Sequence, residues 1–167
     1  MAFDDADMTT WHDVTEAVPE LAGHVRSRFD AHGLGFLASI RRDGSPRISG
    51  VEPFFVDPHL WVGMMPGSRK LADVRRDPRV ALHSASVDPQ VEHGDVRLSG
   101  RLVELTDETE IRRVMAAFRA ERGYGPEDPA PMLWLDITEV VSVRPVVDHL
   151  RIETWTPGRG HQVVERR

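Results

Sequence analysis

The hydrophobic rhythm of this chain changes several times, and each change marks an element. In TEAVPELAGHVRSRFDAHG, residues 15–33, Val18, Leu21, Val25 and Phe29 recur three or four residues apart. That spacing lines one side of a helix. Thr15 or Glu16 opens it, Pro19 lies in its first turn, and Gly33 stops it. The first ten residues are polar and lack a period, which predicts a loose end.

From Leu34 the period falls to two. LGFLASIRR and PRISGVEPFFV flank DGS, a hairpin signal, and HLWVGMM follows Asp57-Pro58. Short turns between these runs predict antiparallel pairing. SRKLADVRRDP reads as a short helix with Ser68 as N-cap, Leu71 and Val74 as its apolar stripe, and Pro78 as its stop. RVALHSA is the next strand. In DVRLSGRLVELTD, Val96, Leu98 and Leu102 alternate with Arg97, Ser99 and Arg101. Asp107 and Glu110 suit a capping box for a helix carrying Ile111, Val114, Met115 and Phe118, which Gly123 closes. LWLDITEVVSV alternates again, with Leu133, Leu135, Ile137, Val141 and Val143 on one side, and HLRIETW is the last predicted strand.

These strands lack the helix between every pair that a doubly wound sheet requires. Closing an antiparallel sheet removes its open edges. The pattern therefore predicts a mainly-β fold, an antiparallel barrel with peripheral helices. Residues 1–33 form a tail and helix, 34–156 the barrel domain, and 157–167 a C-terminal tail.

Composition narrows the chemistry. The 167 residues include no cysteine, which excludes disulfides, thiolate metal sites and a cysteine nucleophile. No apolar run approaches the roughly 20 residues that span a bilayer. The acidic start MAFDDADMTT does not resemble a signal peptide. A cytoplasmic protein with no membrane partner is expected. The net charge of −6 argues against nucleic acid as a partner. Histidines are scattered without metal-ligand spacing, so no metal site is expected. There is no Walker A loop, no G-x-G-x-x-G after the first strand and no nucleophile elbow.

One local feature does carry chemistry. Lys70 is the only lysine, against twenty arginines, and it sits in PGSRK. Pro66 and Gly67 make a turn and Ser68 starts a helix, whose first-turn N–H groups attract an anion. Arg69 and Lys70 add two full charges, and Arg47 on an earlier strand is within reach if the sheet brings it close. A phosphate site fits. So does a solvated basic helix whose cations pair with Asp73 and Asp77.

The run LWVGMMPGSRKLADVRRDPRVALHSASV, followed by GDVRLSGRLVEL, resembles the flavin-binding split barrels related to pyridoxamine 5′-phosphate oxidase. The resemblance covers about residues 34–156 and implies an FMN-binding split β-barrel. It implies that Ser68, Arg69 and Lys70 hold the flavin phosphate. It places Arg47, Ile48 and Ser49 on a flavin-contacting strand and Gly63 and Met64 where the next strand passes the cofactor. It matches Trp155 to a tryptophan that reaches the flavin from the partner subunit, and so implies a homodimer with the site at its interface.

Glu52 replaces a lysine of the family pattern, Asp95 replaces a glutamine, and TPGRGHQVVERR replaces the substrate-binding stretch of the oxidase proper. The expectation is an FMN-dependent oxidoreductase that is not the vitamin B6 enzyme, with its small-molecule substrate and any catalytic residue unassigned. The alternatives are a reductase using the deazaflavin coenzyme F-420, or a non-catalytic split barrel binding flavin or haem.

Overall fold

The computed structural model describes residues 8–86 and 88–167. Along the chain run α1 (Trp11–Ala17), α2 (Pro19–Asp30), β1 (Gly35–Ile40), β2 (Pro46–Val51), β3 (Pro53–Val56), β4 (His59–Gly63), α3 (Arg69–Arg76), β5 (Arg79–Ser84), β6 (Asp95–Glu104), α4 (Glu108–Arg122), β7 (Met132–Val146), β8 (His149–Thr156) and β9 (Gly160–Arg166). None of the described helices is long and apolar enough to cross a membrane. The fold is the expected antiparallel split barrel with peripheral helices.

The helix expected from Thr15 to Gly33 is two helices. Thr10 and Asp13 form a capping box that opens α1, and Val18 breaks the helical path at φ −143°. Pro19 is the first residue of α2. Its ring lacks the N–H that would continue α1 and would clash with the carbonyl four residues back. PRISGVEPFFV likewise divides. The part before Glu52 pairs with β1, and the part after it pairs with β4.

The sheet runs β2-β1-β5-β6-β7-β4-β3 and forks at β7. One edge of β7 pairs with β6 along nearly its whole length. The other edge pairs first with β4, through Met132–Trp134, and then with β8 from Val140 onward. A β-bulge marks the change: Ser99 lies opposite Glu139 while Gly100 lies opposite Ile137, so Thr138 is the extra residue. An added residue reverses which side chains face inward. Leu133, Leu135 and Ile137 are buried as predicted, but beyond the bulge Val140 and Ser142 face the core, and Val141 and Val143 do not. Gly100 makes the bulge possible, since a Cβ there would meet the Asp136 carbonyl oxygen at 2.0 Å.

HLRIETW is not the last strand. GHQVVER follows it as β9, an edge strand paired with β8 and exposed at every position.

The barrel core joins Leu37, Leu82, Leu98, Leu135 and Val140 to one face of α2. Trp11 of α1 packs on Phe55 with ring centroids 4.7 Å apart. β3, β4 and the first half of β7 are buried on both faces. Their other side carries Phe54, Trp61 and Trp134, which α4 covers with Val114, Met115 and Phe118. α3 adds Leu71 and Val74 to the main core, which sets its polar face against β2.

Candidate cofactor site

The start of α3 follows from its local sequence. Gly67 takes φ 71°, a conformation open to glycine. Ser68 then caps the helix, its Oγ accepting the Leu71 N–H at 3.4 Å. The end of the helix is set by Asp77, extended at φ −137° before Pro78.

The two acids of this helix region are satisfied by other residues than Arg69 and Lys70. Arg47 Nε donates to Asp73 Oδ2 at 2.6 Å and Arg76 donates to Oδ1 at 3.2 Å. The Arg47 bond, against the cost of burial and with help from Arg76, holds the Asp73 carboxyl below its ordinary range. Arg79 grips Asp77 through two bonds, which bring that carboxyl down to about 2. Arg69 is exposed and has no hydrogen bond or ion pair among the described residues. Among the described residues, Lys70 Nζ donates only to the Gly50 carbonyl, at 3.1 Å. Burial lowers the Lys70 pKa, and the charge of Glu52 opposes that shift.

These contacts bring Arg47, Ser68 and Lys70 together where β2 meets the first turn of α3, with Arg69 next to Lys70 in the chain and Ser49 on the same face of β2 as Arg47. Arg47 and Ser49 lie half-buried on one face of β2. Ile48 lies on the opposite face and is 73% exposed. Beside Lys70, Gly50 has nothing within 4 Å of where a Cβ would stand.

Gly63 and Met64 open onto a neighbouring cleft of about 210 Å³, lined with Phe54, Met65, Phe118, Met132 and Glu52. The Tyr124 hydroxyl donates to Glu52, a bond that raises the tyrosine pKa. This pair joins residues 72 apart in sequence, so no local pattern announces it. Glu52 thus links the apolar cleft to Lys70. Among the described residues, no group of histidines and acids could hold a metal ion.

Trp155 lies elsewhere. It is 7% exposed and belongs to this chain's own core, opposite Val140 in the β7–β8 register. The bulge at Thr138 turns Val140 inward, and Trp155 turns inward with it.

A family model described as pyridoxamine 5′-phosphate oxidase matches residues 21–144. No curated protein matches the chain. The fold is similar to that of a pyridoxamine 5′-phosphate oxidase-related, FMN-binding protein from Nostoc punctiforme, with 13% identity, a TM-score of 0.64, and 90% of this chain and 96% of that one covered. It is similar to PhzG from Burkholderia lata, solved with tetrahydrophenazine-1-carboxylic acid, with 14% identity, a TM-score of 0.66, and coverage of 100% and 98%. It is also similar to a haem-binding protein from Mycobacterium smegmatis, with 20% identity, a TM-score of 0.63, and coverage of 83% of this chain and 58% of that one.

Proposed function

Because the chain belongs to the pyridoxamine 5′-phosphate oxidase family, we propose that it is an FMN-dependent oxidoreductase acting on a small molecule as a homodimer. The observation that carries this reading is the state of the two cations at the start of α3. Asp73 and Asp77 are occupied by Arg47, Arg76 and Arg79, so Arg69 and Lys70 pair with neither. Arg76 of the same helix takes one oxygen of Asp73, which leaves Arg69 and Lys70 without an ion pair among the described residues.

The residues fit the phosphate of FMN. Two cations and a capped helical first turn meet at one corner. Bound there, the flavin supplies hydride transfer, and the chain supplies grip, orientation and exclusion of water. Arg69 and Lys70 neutralise the phosphate, aided by the partial positive charge of the helix start. Arg47 acts one step back, holding Asp73 and therefore the first turn of α3 against β2. Ser49 lines the same face of β2. Gly63 and Met64 line the apolar cleft, which receives the substrate beside Glu52 and Tyr124.

Dimerisation is supported by the outward face of β1 and β2. Phe36 and Ile48 are 49% and 73% exposed there, on paired strands. A second copy covering this face would bury apolar surface and bring Ile48 to the shared boundary.

The test is the visible spectrum of the purified protein, followed by titration with FMN. Flavin bands or saturable FMN binding are expected. A haem Soret band, or no response to FMN, contradicts the reading.

A further inference from the structure

A second cleft, of about 540 Å³, is built from elements that the cofactor site leaves unused. His24, Ser27 and Arg28 come from α2, Glu92 and His93 from the turn before β6, and Arg144 and Arg151 from the adjoining ends of β7 and β8. None of these residues takes part in the corner where β2 meets α3.

The acids at this cleft are already engaged or stand in solvent. Glu153, 6% exposed, accepts from Arg144 and from Arg151 Nε through one oxygen, and bonds His161 through the other. Burial opposes its ionisation, but the two arginines outweigh that and hold the carboxyl below its ordinary range. Exposed Glu165 lies 3.7 Å from Arg151, and Glu92 is exposed.

The unmet polar capacity at the cleft is on its nitrogens. Arg28 has no hydrogen bond or ion pair among the described residues. Arg144 Nε and His24 Nε2 are buried without a hydrogen-bond partner. The Ser27 hydroxyl is turned to the His24 carbonyl at 2.7 Å. Burial first, and then the charges of Arg144 and Arg28, push the His24 imidazole below its ordinary pKa, so cationic groups crowd one another here. The unmet donors of Arg28 and Arg144 in a concave site match a ligand rich in acceptor oxygens and negative charge.

We propose that this cleft binds a compact polyanion, a phosphate ester or a polycarboxylate, held in the forks of Arg28, Arg144 and Arg151. Guanidinium groups suit both ligands, because each offers paired oxygens in a plane or a tetrahedral face. Arg28 reports on the site most cleanly, since among the described residues it has no hydrogen bond or ion pair whose loss would disturb the fold.

The experiment is calorimetric titration of the full chain with pyrophosphate and, separately, with citrate. Wild type, Arg28→Ala and Lys70→Ala are compared, with thermal melting to confirm that each variant is folded. At least one probe is expected to bind wild type with a Kd below about 1 mM. The affinity of this cleft should fall roughly tenfold or more in Arg28→Ala, whereas Lys70→Ala should remove only binding at the corner where β2 meets α3. Preference for pyrophosphate assigns a phosphate ester, and preference for citrate a polycarboxylate. No binding of either probe, equal affinity in Arg28→Ala, or loss confined to Lys70→Ala overturns the proposal.

Discussion

Arg47 Nε donates to Asp73 Oδ2 across 2.6 Å, and this bond ties β2 to α3. Arg76 reinforces it by donating both to Asp73 and to the Ile40 carbonyl at the end of β1. The helix start is thereby fixed against the strand whose carbonyl at Gly50 holds Lys70.

Breaking that tie should loosen the corner without touching a flavin directly. Asp73→Ala is expected to lower the melting temperature and weaken FMN binding, because Arg47 and Arg76 lose a shared buried partner. The same carboxylate shapes the acid limb. Its folded pKa is depressed, as is that of Asp77, held at about 2. A depressed carboxyl stabilises the fold above its unfolded pKa, near 3.9, and that stability is lost as pH falls through the folded value. Melting temperature in wild type should therefore drop between about pH 4 and pH 2. The drop should be shallower in Asp73→Ala, and melting curves across that range check it.

The bulge predicts a second outcome. Gly100→Ala would bring a Cβ against backbone, the Asp136 carbonyl oxygen at 2.0 Å, where no flexible side chain can yield. A loss of about 1–3 kcal/mol is expected in urea unfolding, in line with other overpacked sites. Little change would mean that the β6–β7 pairing relaxes at no cost.

The exposed face of β1 and β2 predicts the assembly. Wild type should sediment as a dimer. Ile48→Asp should shift it towards monomer by roughly tenfold or more in dissociation constant, since a charge would replace an exposed apolar side chain on that face. Analytical ultracentrifugation across a concentration series reads this directly.

Much of the fold was legible along the chain, and the exceptions share a cause. Ser68 and Pro78 bracket α3 with local signals, so its bounds read correctly. The alternation in β6 also held, because Val96, Leu98 and Leu102 are all buried. In β7 the predicted face failed after Ile137. The inserted Thr138 is stabilised by β6, where its hydroxyl donates to the Ser99 carbonyl at 3.1 Å and Gly100 leaves room. Nothing in TEVVSV records that neighbour. The burial of Trp155 follows from the same bulge, and β9 is recognisable only through its pairing with β8. The break at Val18 was available in principle, because Thr10 and Asp13 spell a capping box seven residues before Ala17. At the proposed site, PGSRK marks the turn and the helix start from local signals alone. That Arg47, Arg76 and Arg79 would occupy the acids required the tertiary contacts, since β2 and α3 meet across 26 residues of sequence.

The central claim is that Lys70 and Arg69 grip a flavin phosphate. The most direct measurement is the dissociation constant for FMN in wild type and in Lys70→Ala, by fluorescence quenching of the flavin at fixed salt. Among the described residues Lys70 has only the Gly50 carbonyl as a side-chain hydrogen-bond partner, so its removal should leave the fold intact. Loss of one charge-assisted bond should weaken binding by about 1.5–3 kcal/mol, or roughly ten- to hundredfold. The loss should be far smaller for riboflavin, which lacks the phosphate. An unchanged constant for FMN in a folded Lys70→Ala protein, or an equal loss for riboflavin, would contradict the account.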